Sequence, residues 1–97
     1  MFADNKSRRS KFEIYLDILD ATRNTHKPTR IMYQCNLSWK SLKEAMSYLA
    51  AKGLIEETVF PAPQDKRTRY TYHTTQRGLD LLESHYATRR IYEALEI

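Results

Sequence analysis

Residues 28–55 read PTRIMYQCNLSWKSLKEAMSYLAAKGLI, and this stretch decides the fold. Its pattern predicts a helix that begins after Ser38, because a serine hydroxyl accepts from the free backbone N–H groups of a first helical turn. The helix is expected to end at Gly53, which can adopt the left-handed conformation, with Leu54 folding back on Leu49. One apolar stripe repeats between these ends at helical period: Leu42, Ala45, Met46 and Leu49.

A shorter helix is predicted just upstream. Thr29 is expected to cap it, Cys35 to end it, and Asn36 to take the left-handed geometry of a tight turn. Two helices joined in this way are a helix-turn-helix pattern, whose second helix enters the major groove in DNA-binding proteins. The competing interpretation is a helical hairpin that only builds a core.

Charge favours DNA over the plain hairpin. Between Ala21 and Lys43 the chain carries basic residues and no acidic one, whereas a solvated face usually mixes the two signs. The basic residues of this stretch are Arg23, Lys27, Arg30, Lys40 and Lys43.

Composition limits the remaining possibilities. A chain of 97 residues with a net charge of +4 fits one domain and an anionic partner. The single cysteine, Cys35, excludes an internal disulfide and a cysteine-rich zinc site, and is expected to be buried. There is no membrane-length apolar run and no signal sequence, so we expect a soluble cytoplasmic, nucleoid-associated protein with no membrane partner.

The flanking segments predict a wing. Residues 1–7 form a basic tail, and residues 8–24 a first helix with Phe12 on its inner face. Residues 54–60 and 67–74 read as two strands joined by a proline-rich loop, which makes a β-hairpin with cations near its tip. His26, before the short helix, is expected to add an edge-strand residue.

The last helix is predicted to begin after Thr75 and to run to about Leu95, with Gly78 in its first turn marking a backbone that passes close by. Its first apolar stripe is expected to pack on the first helix. A second stripe is rotated from the first and predicts a homodimer contact: Ala87, Ile91, Tyr92 and Leu95. The competing interpretation is that this second stripe closes against the first helix of the same chain.

The sequence indicates neither an enzyme nor a cofactor site. His26, His73 and His85 lack metal-ligand spacing, and the chain has no glycine-rich phosphate loop and no catalytic Ser/His/Asp or Cys/His set. Nothing points to a small-molecule effector.

The segments KPTRIMYQCNLSWKSLKEAMSYLAAKGLIEE (27–57) and YHTTQRGLDLL (72–82) resemble the small archaeal winged helix-turn-helix regulators, including the ten-kilodalton archaeal chromatin-associated DNA-binding proteins. The resemblance covers roughly residues 10–86. It implies an α+β, mainly α, fold with a three-helix core, a two-stranded wing and a C-terminal dimerisation helix, and binding of double-stranded DNA by a homodimer. Thr74 departs from the family pattern, because an apolar residue is commoner there.

We therefore expect a winged-helix domain over residues 8–86, with residues 87–97 forming the end of the last helix and the dimer contact. The expected function is a DNA-binding transcriptional regulator. Its alternatives are a sequence-tolerant architectural protein of the nucleoid and a winged-helix protein-interaction module.

The expected DNA contacts fall into three groups. The helix of residues 38–52 would lie in the major groove, Thr29 and Arg30 would meet a phosphate, and the wing of residues 61–69 would contact the backbone or minor groove through Lys66, Arg67 and Arg69. Trp39 has a competing role, covering the turn between the two helices. The recognition-helix candidates are Ser38, Trp39, Lys40, Ser41, Lys43 and Ser47.

Overall fold

The computed structural model describes residues 9–59 and 70–96. In chain order the elements are α1 (Lys11–Ala21), α2 (Pro28–Cys35), α3 (Trp39–Ala51), β1 (Ile55–Val59), β2 (Tyr70–Thr74) and α4 (Gln76–Leu95). Three helices pack together, β1 and β2 form a two-stranded antiparallel sheet, and α4 returns across α1. The fold is thus α+β and mainly helical, as predicted.

Local signals set the ends of the helices. The Ser10 hydroxyl accepts from the Glu13 backbone N–H while the Glu13 carboxylate accepts from Ser10 N–H, so α1 begins with a complete capping box. The helix is shorter than predicted. It ends at Ala21, and the Thr22 hydroxyl turns back to donate to the Ile18 carbonyl at 2.8 Å.

The core lies between α1, α3 and the start of α4. Ile18, Leu19 and Leu82 are almost fully buried, and the predicted apolar stripe of α3 is buried with them. Cys35 is buried as expected. Phe12 is a correction, because 55% of its surface is exposed and its ring meets His85 edge-on instead of entering the core. The buried apolar residues are Leu16, Ile18, Leu19, Ala21, Ile31, Cys35, Leu42, Ala45, Met46, Leu49, Ile55 and Leu82.

The sheet is antiparallel, with Ile55 opposite Thr74 and Val59 opposite Tyr70. Strand β1 begins at Ile55, one residue later than predicted, and the predicted strand residues 60 and 67–69 lie outside the described part of the chain. His26 exchanges two backbone hydrogen bonds with Tyr72, of 2.9 and 3.0 Å, which confirms the expected edge-strand residue.

The root of the sheet is joined to α1 by polar contacts. Thr71 and Thr74 are both buried, although strict alternation would have placed them on opposite faces with only one covered. The Thr74 hydroxyl donates to the Leu19 carbonyl and lies 2.7 Å from the Thr22 hydroxyl. The polar residue at this position is therefore satisfied by partners from α1.

Gly78 confirms the prediction of a close backbone. A Cβ atom at this position would lie 2.4 Å from the Leu54 carbonyl oxygen and 2.4 Å from the Thr74 methyl carbon. Thr75 caps α4 by accepting from the Gly78 N–H, and its own hydroxyl donates to the Gly53 carbonyl at 2.7 Å. The start of α4 is thus fixed against the end of α3.

Candidate nucleic-acid interface

Helix α3 is defined at both ends as the sequence predicts. The Ser38 hydroxyl accepts from the Ser41 N–H at 3.1 Å. At the other end Gly53 has a φ of +74°, the Gly53 N–H donates to the Ala50 carbonyl, and the Leu54 N–H donates to the Leu49 carbonyl. These two bonds are those of a Schellman motif. The orientation of the side chains on α3 is therefore fixed from both ends.

The turn before α3 also follows the prediction. Asn36 adopts the left-handed conformation, with a φ of 56°. The start of α2 is a correction, because Lys27 occupies the N-cap position without a side-chain hydrogen bond and Pro28 is the first helical residue. Proline suits that position since its missing N–H would be unpaired there anyway. Thr29 is therefore inside the helix and does not cap it.

The side of α3 that faces away from the core can be assigned from its buried stripe. At about 100° per residue, four residues lie within about 30° of the line opposite that stripe. All four are exposed. We call them the outward face: Lys40, Glu44, Ser47 and Ala51.

The other recognition-helix candidates lie at its start or on its flanks. Ser38 is the N-cap. Trp39 and Lys43 lie on the flank toward the sheet, where with Ser47 they border a groove of about 510 Å³ that Pro28, Tyr70 and Tyr72 also line. Trp39 is half exposed and lies in this groove, beside the first residue of α2. Ser41 lies on the opposite flank, near Lys11 and Tyr48 of a shallower depression.

The start of α2 leaves backbone donors free within the helix. The first intrahelical bond is donated by the Ile31 N–H to the Lys27 carbonyl, at 3.1 Å. The N–H groups of Thr29 and Arg30 therefore have no intrahelical acceptor, and both residues are exposed. Such a helix start can receive an anion, as expected for this position.

One of the five basic residues between Ala21 and Lys43 is engaged within the chain. Arg23, which follows α1, is paired with Asp20 at 2.9 Å and lies over the Tyr86 ring, so its charge is directed to α1 and α4. Within residues 9–59 and 70–96, no ion pair involves Lys27, Arg30, Lys40 or Lys43. These four exposed cations, on α3 and at the start of α2, remain available for an anionic partner.

The wing is described only at its root. Lys66, Arg67 and Arg69 lie outside the described residues. At the root, burial raises the pKa of Tyr72, and so does the hydrogen bond of 2.6 Å that the Tyr72 hydroxyl donates to Glu57. His73 lies 3.0 Å from Glu56. Glu56 and Glu57 of β1 thus each meet a partner on β2.

Sequence reasoning missed Arg9. Its guanidinium donates to the carbonyls of Cys35 and Asn36, at 2.8 and 3.2 Å, and pairs with Asp17. The start of α1 is thereby joined to the turn that precedes α3. Arginine suits carbonyls at a helix end, but its partners are 26 and 27 residues away, and no local pattern gives such contacts.

The second half of α4 projects from the body. Leu82 in its first half is buried and Tyr86 packs against the core, as predicted. Ala87 is half-buried, whereas Ile91, Tyr92 and Leu95 are 59%, 71% and 69% exposed. The second stripe therefore does not close against α1 of its own chain.

Two other features are absent from the part of the chain that the structure describes. No helix there is long and apolar enough to cross a membrane. No cluster of three or more histidine, cysteine or acidic side chains could hold a metal ion there.

Comparisons with known proteins give the same fold. An uncharacterised protein of Methanocaldococcus jannaschii is 29% identical over 98% of this chain and 88% of its own length. The transcriptional regulator BldR of Sulfolobus solfataricus superposes with a TM-score of 0.68 at 20% identity, covering 86% of this chain and 60% of BldR. A PadR-family regulator of Clostridium difficile R20291 has a TM-score of 0.68 at 22% identity, over 84% of this chain and 93% of that one.

These likenesses differ in what they support. The chain spans 56% of a MarR-family regulator from Silicibacter pomeroyi and 60% of BldR, so it corresponds to part of those proteins. At such identities the structural likeness is one of fold, and the archaeal relatives agree with the resemblance seen in the sequence. The sequence profile of the winged helix-turn-helix family matches residues 8–93. The chain therefore belongs to the winged helix-turn-helix family.

Proposed function

We propose that this chain is a transcriptional regulator that binds double-stranded DNA as a homodimer. In this proposal α3 lies in the major groove, and the wing of residues 61–69 follows the backbone or enters the minor groove. Thr29 and Arg30 bind a phosphate.

The exposed cations around α3 carry this proposal. Lys40 lies on the outward face, Lys43 lies beside it, and Lys27 and Arg30 lie at the adjacent start of α2. A basic surface beside a capped recognition helix matches the potential of the DNA backbone. A lysine that pairs with no acid of its own chain can pair with a phosphate without breaking an existing contact.

The wing contact is tested by a gel-shift titration over a range of salt concentrations. Replacing Arg67 and Arg69 with alanine should make the log–log salt slope shallower by about one to two units, since about two phosphates lose their partners. A double variant with Arg23→Ala and Arg89→Ala is the matched control. It removes the same charge from residues that are paired with nearby acids, Asp20 and Glu93. If the salt slope of the wing variant equals that of the wild type, the wing contact is refuted.

The homodimer is supported by the exposed second stripe of α4. Leaving a large apolar side chain in water forgoes about 1.5–3 kcal/mol, so Ile91 and Leu95 favour a partner surface. A groove of about 420 Å³ lies beside the first half of α4, bordered by Phe12 and Leu81, with Lys52 and Arg77 among the residues that line it.

This groove suits the same helix of a second copy. Residues 77, 84, 91 and 95 share one side of α4 at about 100° per residue, so an antiparallel pair centred near Ala87 sets each stripe against the partner's groove. A twofold dimer also provides two recognition helices for two half-sites.

Ile91→Asp tests this interface by light scattering at micromolar concentration. We expect a dimeric wild type and a folded monomeric variant, because the aspartate would lie in an apolar contact. Arg90→Asp is the matched control, since it adds the same side chain about 100° around the helix. A variant that stays dimeric would place the contact elsewhere, and a monomeric wild type would refute the homodimer.

A further inference from the structure

Glu44 lies on the outward face of α3, one turn after Lys40. It is the only acidic residue of that helix, and its side chain is exposed. If α3 occupies a major groove, a carboxylate on its outward face comes as close to DNA as the neighbouring lysine does. The question is which DNA group could receive it.

No ion pair in the described part of the chain involves the Glu44 carboxylate. The ion pairs found there involve other acids, and Lys11, which shares a depression with Glu44, is not within 4.0 Å of it. Facing phosphates, an unpaired carboxylate would be repelled at every DNA sequence. In a groove it is best tolerated where a base offers a hydrogen-bond donor and carries no acceptor on its own edge.

Cytosine offers such a donor in the major groove. On cytosine's own major-groove edge the N4 amino group is the only hydrogen-bonding group, whereas adenine carries the N7 acceptor beside its N6 amino group, and this acceptor repels a carboxylate. Glutamate and aspartate accept from cytosine N4 in known complexes. Lysine at Lys40 would instead donate to guanine O6 and N7.

We propose that Glu44 is a specificity-determining residue that accepts from the N4 amino group of a cytosine. One helical turn rises about 5.4 Å and one base step about 3.4 Å, so this cytosine lies one or two base steps from the base pair that Lys40 contacts. The inference rests on the proposed function and adds a base preference to it. It also favours a sequence-specific regulator over an architectural protein, because the carboxylate penalises unmatched sequences.

Selection from a random pool of duplexes, with the full chain, tests the inference. The wild type should enrich a site with a cytosine in each half. Glu44→Gln should change that position to adenine, because an amide both donates and accepts and so suits adenine N6 and N7. The other positions should be unchanged. On the wild-type site we expect the variant to bind about 5- to 140-fold more weakly, and on random duplexes more tightly.

Glu83→Gln is the matched control, since it removes the same charge from an exposed residue of α4. If it causes the same change of preference, net charge and not a contact is responsible, and the inference is overturned. Retention of the cytosine by Glu44→Gln overturns it as well. A wild type that binds duplexes without any preferred site overturns the inference while the DNA-binding proposal stands. A wild type that binds no duplex overturns both.

Discussion

Gly78→Ala tests how closely the end of α3 and the start of α4 are joined. The new methyl carbon would lie 2.4 Å from the Leu54 carbonyl oxygen, and that oxygen cannot move freely because it accepts from the Thr75 N–H at 3.0 Å. The Thr74 methyl carbon, also 2.4 Å away, belongs to a buried side chain with hydrogen bonds to α1. Relief of both contacts requires α4 to move away from the end of α3.

Two opposing effects set the size of the change. Alanine is favoured over glycine within a helix by about 0.5–1 kcal/mol. Inserting a carbon into a closely packed site costs about 1–3 kcal/mol, and more where backbone must move. The clash should prevail, because one of the two neighbours is a backbone oxygen already held by a hydrogen bond. We expect a net loss of roughly 1–2 kcal/mol in the free energy of unfolding.

Urea and thermal unfolding measure this loss. In a domain of this size each kcal/mol lowers the melting temperature by roughly 4–8 °C. Thr88→Ala, at an exposed position of the same helix, is the control and should not destabilise the chain. A Gly78→Ala variant that is as stable as the wild type, or more stable, would show that the added methyl carbon meets no costly contact. The close approach of the Leu54 carbonyl oxygen would then be refuted.

Two further predictions concern Lys43 and Cys35. Lys43→Ala should cost roughly 1–3 kcal/mol on a preferred DNA site and much less on random duplexes if Lys43 contacts a base, and an equal loss on both would make it a phosphate contact. Burial, and then the charge of Asp17, raise the pKa of the Cys35 thiol from 9.0 to about 11. The folded state thus favours the protonated thiol, so the stability that the thiol contributes is complete below pH 9 and is lost as the pH rises toward 11. Unfolding free energies measured across that range should fall by roughly 2–3 kcal/mol more in the wild type than in Cys35→Ala, and parallel curves would refute the shift.

The features predictable from the sequence are those with a local cause. The caps at Ser38 and Thr75 and the left-handed ends at Asn36 and Gly53 each depend on residues within one turn. The apolar stripe of α3 depends only on helical period. Each of these was predicted from a few neighbouring residues, and the structure confirms them.

One error of prediction had a local cause. Thr29 was expected to cap α2, but proline favours the first helical position, so the helix begins at Pro28 and Lys27 takes the N-cap position. The other features that the sequence could not predict depend on distant neighbours. Phe12 fits the inner face by its spacing, but whether a side chain is covered depends on what packs over it. Helical spacing also predicts which residues form the outward face of α3, once the side that packs on the core is known. It does not show that Trp39 and Lys43 border the sheet, because that requires the position of β2.

Thr74 shows how such a distant contact could serve binding. At a position where an apolar residue is commoner in the family, its hydroxyl donates to Leu19, and its backbone N–H donates to the Thr22 carbonyl at 2.7 Å. A buried polar group left unsatisfied costs about 1–3 kcal/mol, so tilting β2 away from α1 would be opposed by several such groups at once. An apolar residue at this position would contribute buried surface area but no directional hydrogen bond. The threonine pair therefore holds the root of the wing at a defined angle to α1, and Arg9 fixes the same helix to the turn before α3. Through α1, the root of the wing and α3 are held in one relative orientation, which the proposed two-point contact with DNA requires.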